Sequence, residues 1–574
     1  MRFHHRNQGR SAFDLCVEQQ GLAGVKDQLW NPLANLTFGG LVRGDGLISA
    51  GVVDGQYAST PFRAWRLRSA QPATSHDVRA VLHVAQTSTL DDWLSQVDQI
   101  DCETVRESSL ARQATRLWWS LFWQRSHIAV NTCANDPTNP AWQVGRNYQL
   151  FRYQLGCNAH GKWPTKFNGG LFTYDPEFVD PTKKLDPDFR QWGGGSFTAQ
   201  NQRLVYWPML KSGDIDLMKP QFDFYLRMRG NAELRSKVYW NIDGACFTEQ
   251  IENFGLPVSF EYGWKRLPDM PHGVEHNAWV SHQWDTVFEF CLMMLEAHRY
   301  ANADLSEYVP FIESCLGFYD AFYPERDDQG KRIIEPGTAL ETYKNALNPT
   351  STIAALNAVL TALLGNCESQ MDLSLQRDRW SRLLASLPDF AYREMRGHRV
   401  ISPAWRWSHK QNCEFPQLYP VYPYGQFGVG RPELQVAIDT WHFGFDAPDQ
   451  KQIMSWHQDA IFCARLGLTD EAAKLTIEKM KDAPRRFPTF WGPGHDWVPD
   501  HNWGGSGMIG LQEMLLQCVD DQLYVLPAWP RQWDVSFKLH APRGTTVECV
   551  FRAGRLESLV VTPNERATDV VLPT

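Results

Sequence analysis

The sequence predicts a mainly α-helical protein in which helical hairpins follow one another, as a toroid of hairpins requires, with β structure at both ends. Three observations predict this. Apolar residues recur at helical spacing through the middle of the chain, strand-like runs are confined to its two ends, and the helices are separated by long loops dense in Gly, Trp, Asn and Asp, which are uncommon unless they build a site.

Taken in order, residues 1 to about 100 are rich in Gly and turn signals, with strand-like runs at Leu36–Leu41 and Val81–Gln86. Thr87–Ile100 has Ser88 or Thr89 ahead of a helical pattern and is expected to form a linker helix. The domain boundaries expected are 1–105 for the β-domain and linker helix, 106–522 for a helical catalytic domain and 523–574 for a small C-terminal β-domain. From Ser108 onward Ala114, Leu117, Trp118, Leu121 and Phe122 share one helix face, as do Trp284, Val287, Phe288, Cys291, Leu292 and Leu295. Both are expected to be buried. Thr350 or Ser351 can cap a helix that runs through Leu364 and stops at Gly365, and Gly507–Cys518 gives another short helix. Beyond Leu523 the apolar residues alternate: Val535, Phe537 and Leu539, then Val547, Cys549 and Phe551, with a turn at Ala553-Gly554 before Leu556–Val561.

Composition excludes several functions. With 43% apolar and 21% charged residues the chain is globular rather than disordered. A net charge of -9 and no dense Lys/Arg run leave nothing to attract nucleic acid or an anionic membrane surface. No apolar stretch reaches the ~20 residues that span a bilayer. The 12 cysteines lack CxxC or Cys/His ligand spacing, so neither a structural zinc site nor a disulfide framework is expected. No metal or cofactor is called for. Met1–Gly9 has no apolar signal core, which predicts a cytoplasmic chain, or a periplasmic or secreted one whose true beginning is missing. The chain carries 24 Trp, 18 Tyr and 31 Phe, many beside Gly, Pro, Asn and Asp. Some fill the core, but flat rings beside hydrogen-bonding groups suit sugars, and a carbohydrate is the partner expected.

Cleaving a glycosidic bond needs two carboxyl groups, one protonated to help the leaving oxygen depart and one ionised to act on water or carbon. Four loop clusters combine polar groups with Gly and aromatic residues: Gly193–Trp207, Thr248–Gly255, Ile334–Asn345 and Trp491–Gly507. In the third, Glu341 follows a Pro-Gly turn and is expected just before a helix, where burial can raise its pKa or the helix N-terminus can simply stabilise it. In the fourth, Asp496 and Asp500 sit among Trp491, Trp497 and Trp503 with His495, His501 and Asn502, and local sequence does not choose between the two aspartates.

The run VPDHNWGGSGMIGLQEMLLQ followed by LPAWPRQWDV resembles the closing segment of glycoside hydrolase family 95, the inverting α-L-fucosidases and α-L-galactosidases, within the six-hairpin glycosidase superfamily. EPGTALETY resembles that family's Ser-Pro-Ser-x-Ser-Pro-Glu segment, and NQRLVYWP its Asn-x-Asn element before Tyr-Trp-Pro. The resemblance covers most of the chain from about residue 110 and implies an (α/α)6 barrel with a C-terminal β-domain, preceded here by part of an N-terminal β-sandwich. It implies Glu341 as general acid, Asp500 as general base and Asn201 as a water-orienting partner. The chain departs from the pattern where Ala199 replaces the first asparagine, with Gln200 nearby. TEQIENFG stands where the family has a His-rich segment, giving Glu249, Glu252 and Asn253 as sugar contacts, and EFPQLYPVYP brings Glu414 and Gln417. Trp491, His501, Asn502 and Trp503 complete the expected substrate-binding set.

The expectation is an exo-acting inverting glycosidase, its two carboxyl groups about 6.5–9.5 Å apart rather than the ~5–5.5 Å of a retaining enzyme. A phosphorylase or polysaccharide lyase on the same barrel, or a sugar-binding protein without activity, are the alternatives. Oligomeric state is not legible.

Overall fold

The computed structural model describes residues 1–57, 60–132, 136–158, 161–166, 196–366, 374–484, 487–492 and 500–573. The described residues form two compact units, Met1–Trp123 and the residues from Gln124 onward.

In the first unit, β1 (Arg2–Arg6), β2 (Leu36–Gly44) and β5 (Val78–Gln86) make an antiparallel sheet in the order β1-β2-β5, and β3 (Leu47–Tyr57) pairs with β4 (Thr60–Ser69) as a long hairpin. Helix α1 (Ala12–Gln19) starts at a capping box in which Ser11 and Asp14 satisfy each other's backbone N–H groups. Helix α2 begins in the same way: Thr89 and Asp92 exchange hydrogen bonds of 3.0 and 3.1 Å ahead of Leu90. Its Trp93 and Val97 pack on Leu41 and Val81, the pair that faces one side of the sheet. The helix does not stop at Ile100. Nothing in Asp101–Glu107 breaks it, so α2 is one element, Leu90–Arg125, in which Phe122 is buried but Leu117 and Leu121 stay exposed. The buried face expected for that stretch is therefore corrected: periodicity gave the helix, not its burial.

In the second unit, outer and inner segments alternate along the chain. The outer ones are α3 (Pro140–Asn158), α6 (Lys219–Trp240), α9 (Val309–Phe322), α11 (Ser374–Ala385), α12 (Leu434–Phe443) and α14 (Thr469–Met480). Between them come α4 (Ala199–Tyr206), continued by α5 (Pro208–Ser212), then α8 (Val287–Ala301), α10 (Thr350–Asn366), a 3-10 turn at Pro416–Leu418, α13 (Asp459–Arg465) and α15 (His501–Leu515); a single turn, α7 (Ser259–Tyr262), stands ahead of α8. Every residue of α4 and α13 is buried, and every residue of α15 but Trp503. These inner segments touch in sequence, α4 on α8, α8 on α10, α10 on the 3-10 turn and α13 on α15, and α15 closes the ring on α4. This is the mainly α, toroidal class that the sequence predicts. Two glycines of α15 permit the closure: a Cβ on Gly505 would lie 2.1 Å from the Leu204 carbonyl oxygen of α4, and one on Gly504 2.3 Å from the Phe151 ring of α3.

Helix α15 ends at Leu515, and Leu516 turns straight into β14 (Leu516–Val519), which pairs with β15 (Gln522–Val525); the helix expected over Gly507–Cys518 thus starts earlier, at His501, and stops three residues sooner. Strands β16 (Val535–Ala541), β17 (Thr545–Arg552) and β18 (Arg555–Thr562) form where the sequence predicts them; β16 buries every second residue, whereas β18 is mostly exposed and buries Val561. Their sheet is completed by β6 (His127–Val130), which precedes α3 and pairs antiparallel with β16. Among the described residues no helix is long and apolar enough to cross a membrane.

Candidate active site

The N-terminal ends of the inner segments carry the candidate residues: Gln200 and Asn201 on α4, Asp285 ahead of α8, Glu414 ahead of the 3-10 turn, Asp459 on α13 and Asp500 ahead of α15. Polar groups on fully buried turns need partners, and those partners define two groups.

The first is a cluster of carboxyl groups. Glu341 does not precede a helix. It sits in the turn between β9 (Gly337–Ala339) and β10 (Tyr343–Ala346), next to Leu340 in the left-handed region at φ 52°; on its other edge β10 pairs with β13 (His409–Lys410), which follows the hairpin of β11 (Tyr392–Met395) and β12 (His398–Ile401). The short pairing of Tyr343 with Ala339 leaves the intervening residues as a hairpin tip. There the Glu341 backbone N–H donates to Glu414 Oε2 at 3.2 Å, and the Asn412 amide donates to Glu341 Oε2 at 2.8 Å. Glu414 is held in turn by its own N–H to the Thr342 hydroxyl, 3.1 Å, and by the Gln200 side-chain amide on its Oε1. Gln200 links it to a third carboxyl, since its backbone N–H donates to Glu249 Oε1 at 3.1 Å. The ladder of β7 (Phe197–Thr198) with β8 (Gln250–Ile251) fixes Glu249 against the first turn of α4. Glu249 is fully buried, and its Oε2 has no hydrogen-bond partner among the described residues. Glu261 is the fourth, taking hydrogen bonds from the Gln250 and Asn277 amides.

Arg203 lies one turn below Gln200, and its charge is matched by Glu289 at 3.1 Å; its other donors go to the Gln200 carbonyl and the Tyr419 hydroxyl. The four glutamates therefore share a buried region in which the nearest cations, Arg203 and Lys344, only partly offset burial, and all four are shifted towards the protonated form. Burial, followed by the neighbouring Glu414, Glu249 and Glu261 charges, pushes Glu341 well above the ordinary carboxylate range. Burial likewise raises Glu249 to about 8, and Glu414 and Glu261 to about 7 each. Glu341 nevertheless keeps part of its surface open.

The second group surrounds Asp500. This residue caps α15, its Oδ1 accepting the backbone N–H groups of Asn502 at 3.0 Å and Trp503 at 3.3 Å. Burial raises its pKa, against the pull of the Ser455 hydroxyl, those N–H groups and Lys479. Lys479 is buried and brought down to about 7 by burial; all three of its N–H bonds go to the carbonyls of Ile453, Ser455 and His457, at 2.8, 3.0 and 2.9 Å. Asp459 nearby is raised to about 7 by burial. Glu414 and Asp459 line one small cleft together with Tyr419, Trp456 and His457.

The remaining expected residues fall as follows. Asn201 is buried beside Gln200. Glu252 is half-buried in the turn after β8, raised by burial, with Asn253 next to it. Gln417 is fully buried and its amide holds the Tyr343 hydroxyl and the Gly444 carbonyl, 3.2 Å each. Trp491 and Trp503 both direct their indole N–H inward, to the carbonyls of Lys481 and Lys479. His501 is buried edge-on against Phe151, and burial lowers its pKa to about 4, which keeps it neutral. Gly193–Gly195, His495, Asp496 and Trp497 lie outside the described residues. Sequence reasoning missed Arg203, Glu261, Glu289, Asn412, Asp459 and Lys479. A usable signal existed for Arg203: it follows Gln200 at helical spacing and directly precedes the apolar run Leu204–Trp207. Among the described residues no group of three or more His, Cys, Asp or Glu is set to hold a metal ion.

Residues 1–128 match a family model described as "Domain of unknown function (DUF5703)". No curated protein matches the chain. Among solved structures, one described as "Putative kojibiose phosphorylase from human microbiome" is similar over 92% of this chain and 77% of its own, at 11% identity and a TM-score of 0.57, a likeness of fold. A glycosidase variant in complex with glucose matches 65% of this chain and 98% of its own, at 11% identity and a TM-score of 0.41.

Proposed function

We propose that the chain is an exo-acting glycoside hydrolase that removes a neutral terminal sugar from an oligo- or polysaccharide with inversion, in the manner of the α-L-fucosidases and α-L-galactosidases it resembles. The observation that carries this reading is Glu341, a partly open carboxyl group at a hairpin tip, kept protonated by burial and by three neighbouring glutamates. A carboxyl that holds its proton at neutral pH is what departure of a glycosidic oxygen requires.

In this reading the Glu341 O–H protonates the bridging oxygen as the bond to the anomeric carbon breaks. Asp500, oriented by the two N–H groups at the start of α15, takes a proton from a water that attacks the opposite face, with Asn201 helping to hold that water. Glu249 and Glu414 grip sugar hydroxyls, and the unpartnered oxygen of Glu249 supports that role. Glu252, Asn253, Trp491, His501, Asn502 and Trp503 are proposed around the sugar, and Gln417 as a positioning residue through Tyr343. Among the described residues the cations near the cluster, Arg203 and Lys344, have their donors engaged by Glu289, Ser281 and Thr338, which favours a neutral sugar over an acidic one. Among the described residues the cation beside Asp500 is Lys479, whose three donors are already taken, and this disfavours a phosphate co-substrate.

The test is hydrolysis of α- and β-linked L-fucosides, L- and D-galactosides, L-arabinosides and L-rhamnosides, with and without phosphate, following the anomer released. Inverted product, phosphate-independent, with kcat reduced roughly 10²–10⁴-fold in Glu341→Gln and Asp500→Asn, is the expected outcome. Full activity in either variant removes that residue from its role, and turnover only with phosphate replaces hydrolysis by phosphorolysis.

A further inference from the structure

The inner helices have a second set of ends. Where their N-termini carry the carboxyl groups, their C-terminal halves surround a cavity of about 630 Å³, lined by residues of α5, α8, α10, α13 and α15 and by the Tyr422–Gln426 segment. Along α8 the step from Glu289, beside the carboxyl cluster, to Glu296 and Arg299 on the cavity wall is roughly 10–15 Å. Trp207 also lines the cavity, while its indole N–H donates to Glu289 at 2.9 Å. The space is therefore separate from the candidate active site, and its volume lies in the roughly 300–1,000 Å³ range of small-molecule sites.

Its charges do not cancel. Arg299 pairs with Glu296 at 2.7 Å and Arg431 with Asp520 at 2.8 Å. Lys211 and Arg465, however, converge on a single carboxylate, Glu513, at 2.6 and 3.3 Å, and all three are buried. Among the described residues of the lining, that leaves one positive charge in excess within a low-dielectric wall, where an unmatched charge is costly. Lys211 also donates to the Leu516 carbonyl, but Arg465 Nε has no hydrogen-bond partner among the described residues. The rest of the lining combines aliphatic and small residues with aromatic and amide groups, among them Trp207, Tyr300, Tyr422, Tyr424, Asn357 and Gln426.

We propose that this cavity is a second ligand site, for a monosaccharide-sized molecule that bears one anionic group, a phosphate ester or a carboxylate, with Arg465 and Lys211 receiving the anion and the aromatic walls facing the sugar ring. An acidic sugar is the chemistry that the carboxyl cluster at the other end disfavours, so the two ends of the toroid would take ligands of different charge.

Isothermal titration calorimetry of the full chain with glucose 6-phosphate, glucuronate, glucose and inorganic phosphate tests this. At least one of the two acidic sugars is expected to bind with Kd below about 1 mM and roughly tenfold more tightly than glucose or phosphate. Arg465→Gln should weaken that binding roughly tenfold or more. Since Arg465 also braces Glu513, Ala358→Trp provides an independent variant: it leaves every charge in place, fills the cavity from α10 and should abolish binding. Preference for glucose 6-phosphate assigns a phosphate ester, and preference for glucuronate a carboxylate. Absence of binding by both, or binding that survives Ala358→Trp, overturns the proposal.

Discussion

Asn412 touches Glu341 through one hydrogen bond, and that bond acts against the neighbours that keep Glu341 protonated, because an amide N–H favours the ionised carboxylate. Replacing Asn412 by Ala should therefore raise the Glu341 pKa further and move the alkaline limb of kcat/KM to higher pH. A pH–rate profile whose limb stays in place would show that another group sets it. Glu261 gives a stability prediction. Its folded pKa of about 7 exceeds the ordinary value of 4.5, so between these pH values the folded state holds a proton that the unfolded chain has lost. The stabilisation is complete below pH 4.5 and is lost as pH rises to about 7, at about 1.4 kcal/mol per pH unit for one proton. Glu261→Gln should flatten the pH dependence of denaturant unfolding by up to that slope over this window, and an unchanged slope would mean that Glu261 is ionised in the folded state. Glu341 stood out in the sequence through its Pro-Gly turn and its family-like surroundings. Glu261 and Lys479 did not, since neither lies in a distinctive local pattern and each acquires its role from segments far away in the chain.

Helix α15 shows how an element carries the site. Its Gly-Gly pair admits the carbonyl of Leu204 and the ring of Phe151 where any side chain would collide, so Gly505→Ala should cost at least about 2–3 kcal/mol and displace Asp500 along with the helix. Gly510→Ala, whose Cβ would meet the Ala460 methyl at 3.2 Å, should cost less; equal losses by denaturant titration would contradict this account of the packing. Lys479 ties α14 to the Ile453–His457 segment through three backbone carbonyls. Lys479→Met should destabilise the second unit by about 3–5 kcal/mol and raise the Asp500 pKa, shifting the acid limb of activity upward, and a variant with wild-type stability would exclude the bracing role. At this scale legibility followed the physics of each element. Strand β16 and the first half of β17, half-buried and alternating, could be read residue by residue. The second half of α2 could not, because helical spacing says which residues share a face and nothing about what covers it. The hairpin at Glu341 was hidden because β9 is three residues long and its pairing partners are set by the loop around it.

For the molecule as a whole, β6 and β16 matter most. The C-terminal β structure is not an appendage that begins at residue 523, since the sheet of β16, β17 and β18 takes a strand from ahead of α3, and a second sheet opens with β14, which continues from α15 without a loop. A chain ended at residue 522 would leave β6 an unpaired edge and expose the apolar face that β16 and β17 cover, so it should elute as aggregate in size-exclusion chromatography; a monodisperse monomer would show that the helical ring stands alone. The same pairing sets the order of events during synthesis. His127 and Ser536, partners across β6 and β16, are 409 residues apart, and α15 reaches α4 only at the end of the chain. At the roughly 5–20 residues per second of translation, β6 waits on the order of 20–80 s for its partner. Throughout that interval the nascent ring is open, its inner helices are uncovered on one flank, and a chaperone has more to protect than in a fold whose contacts are local.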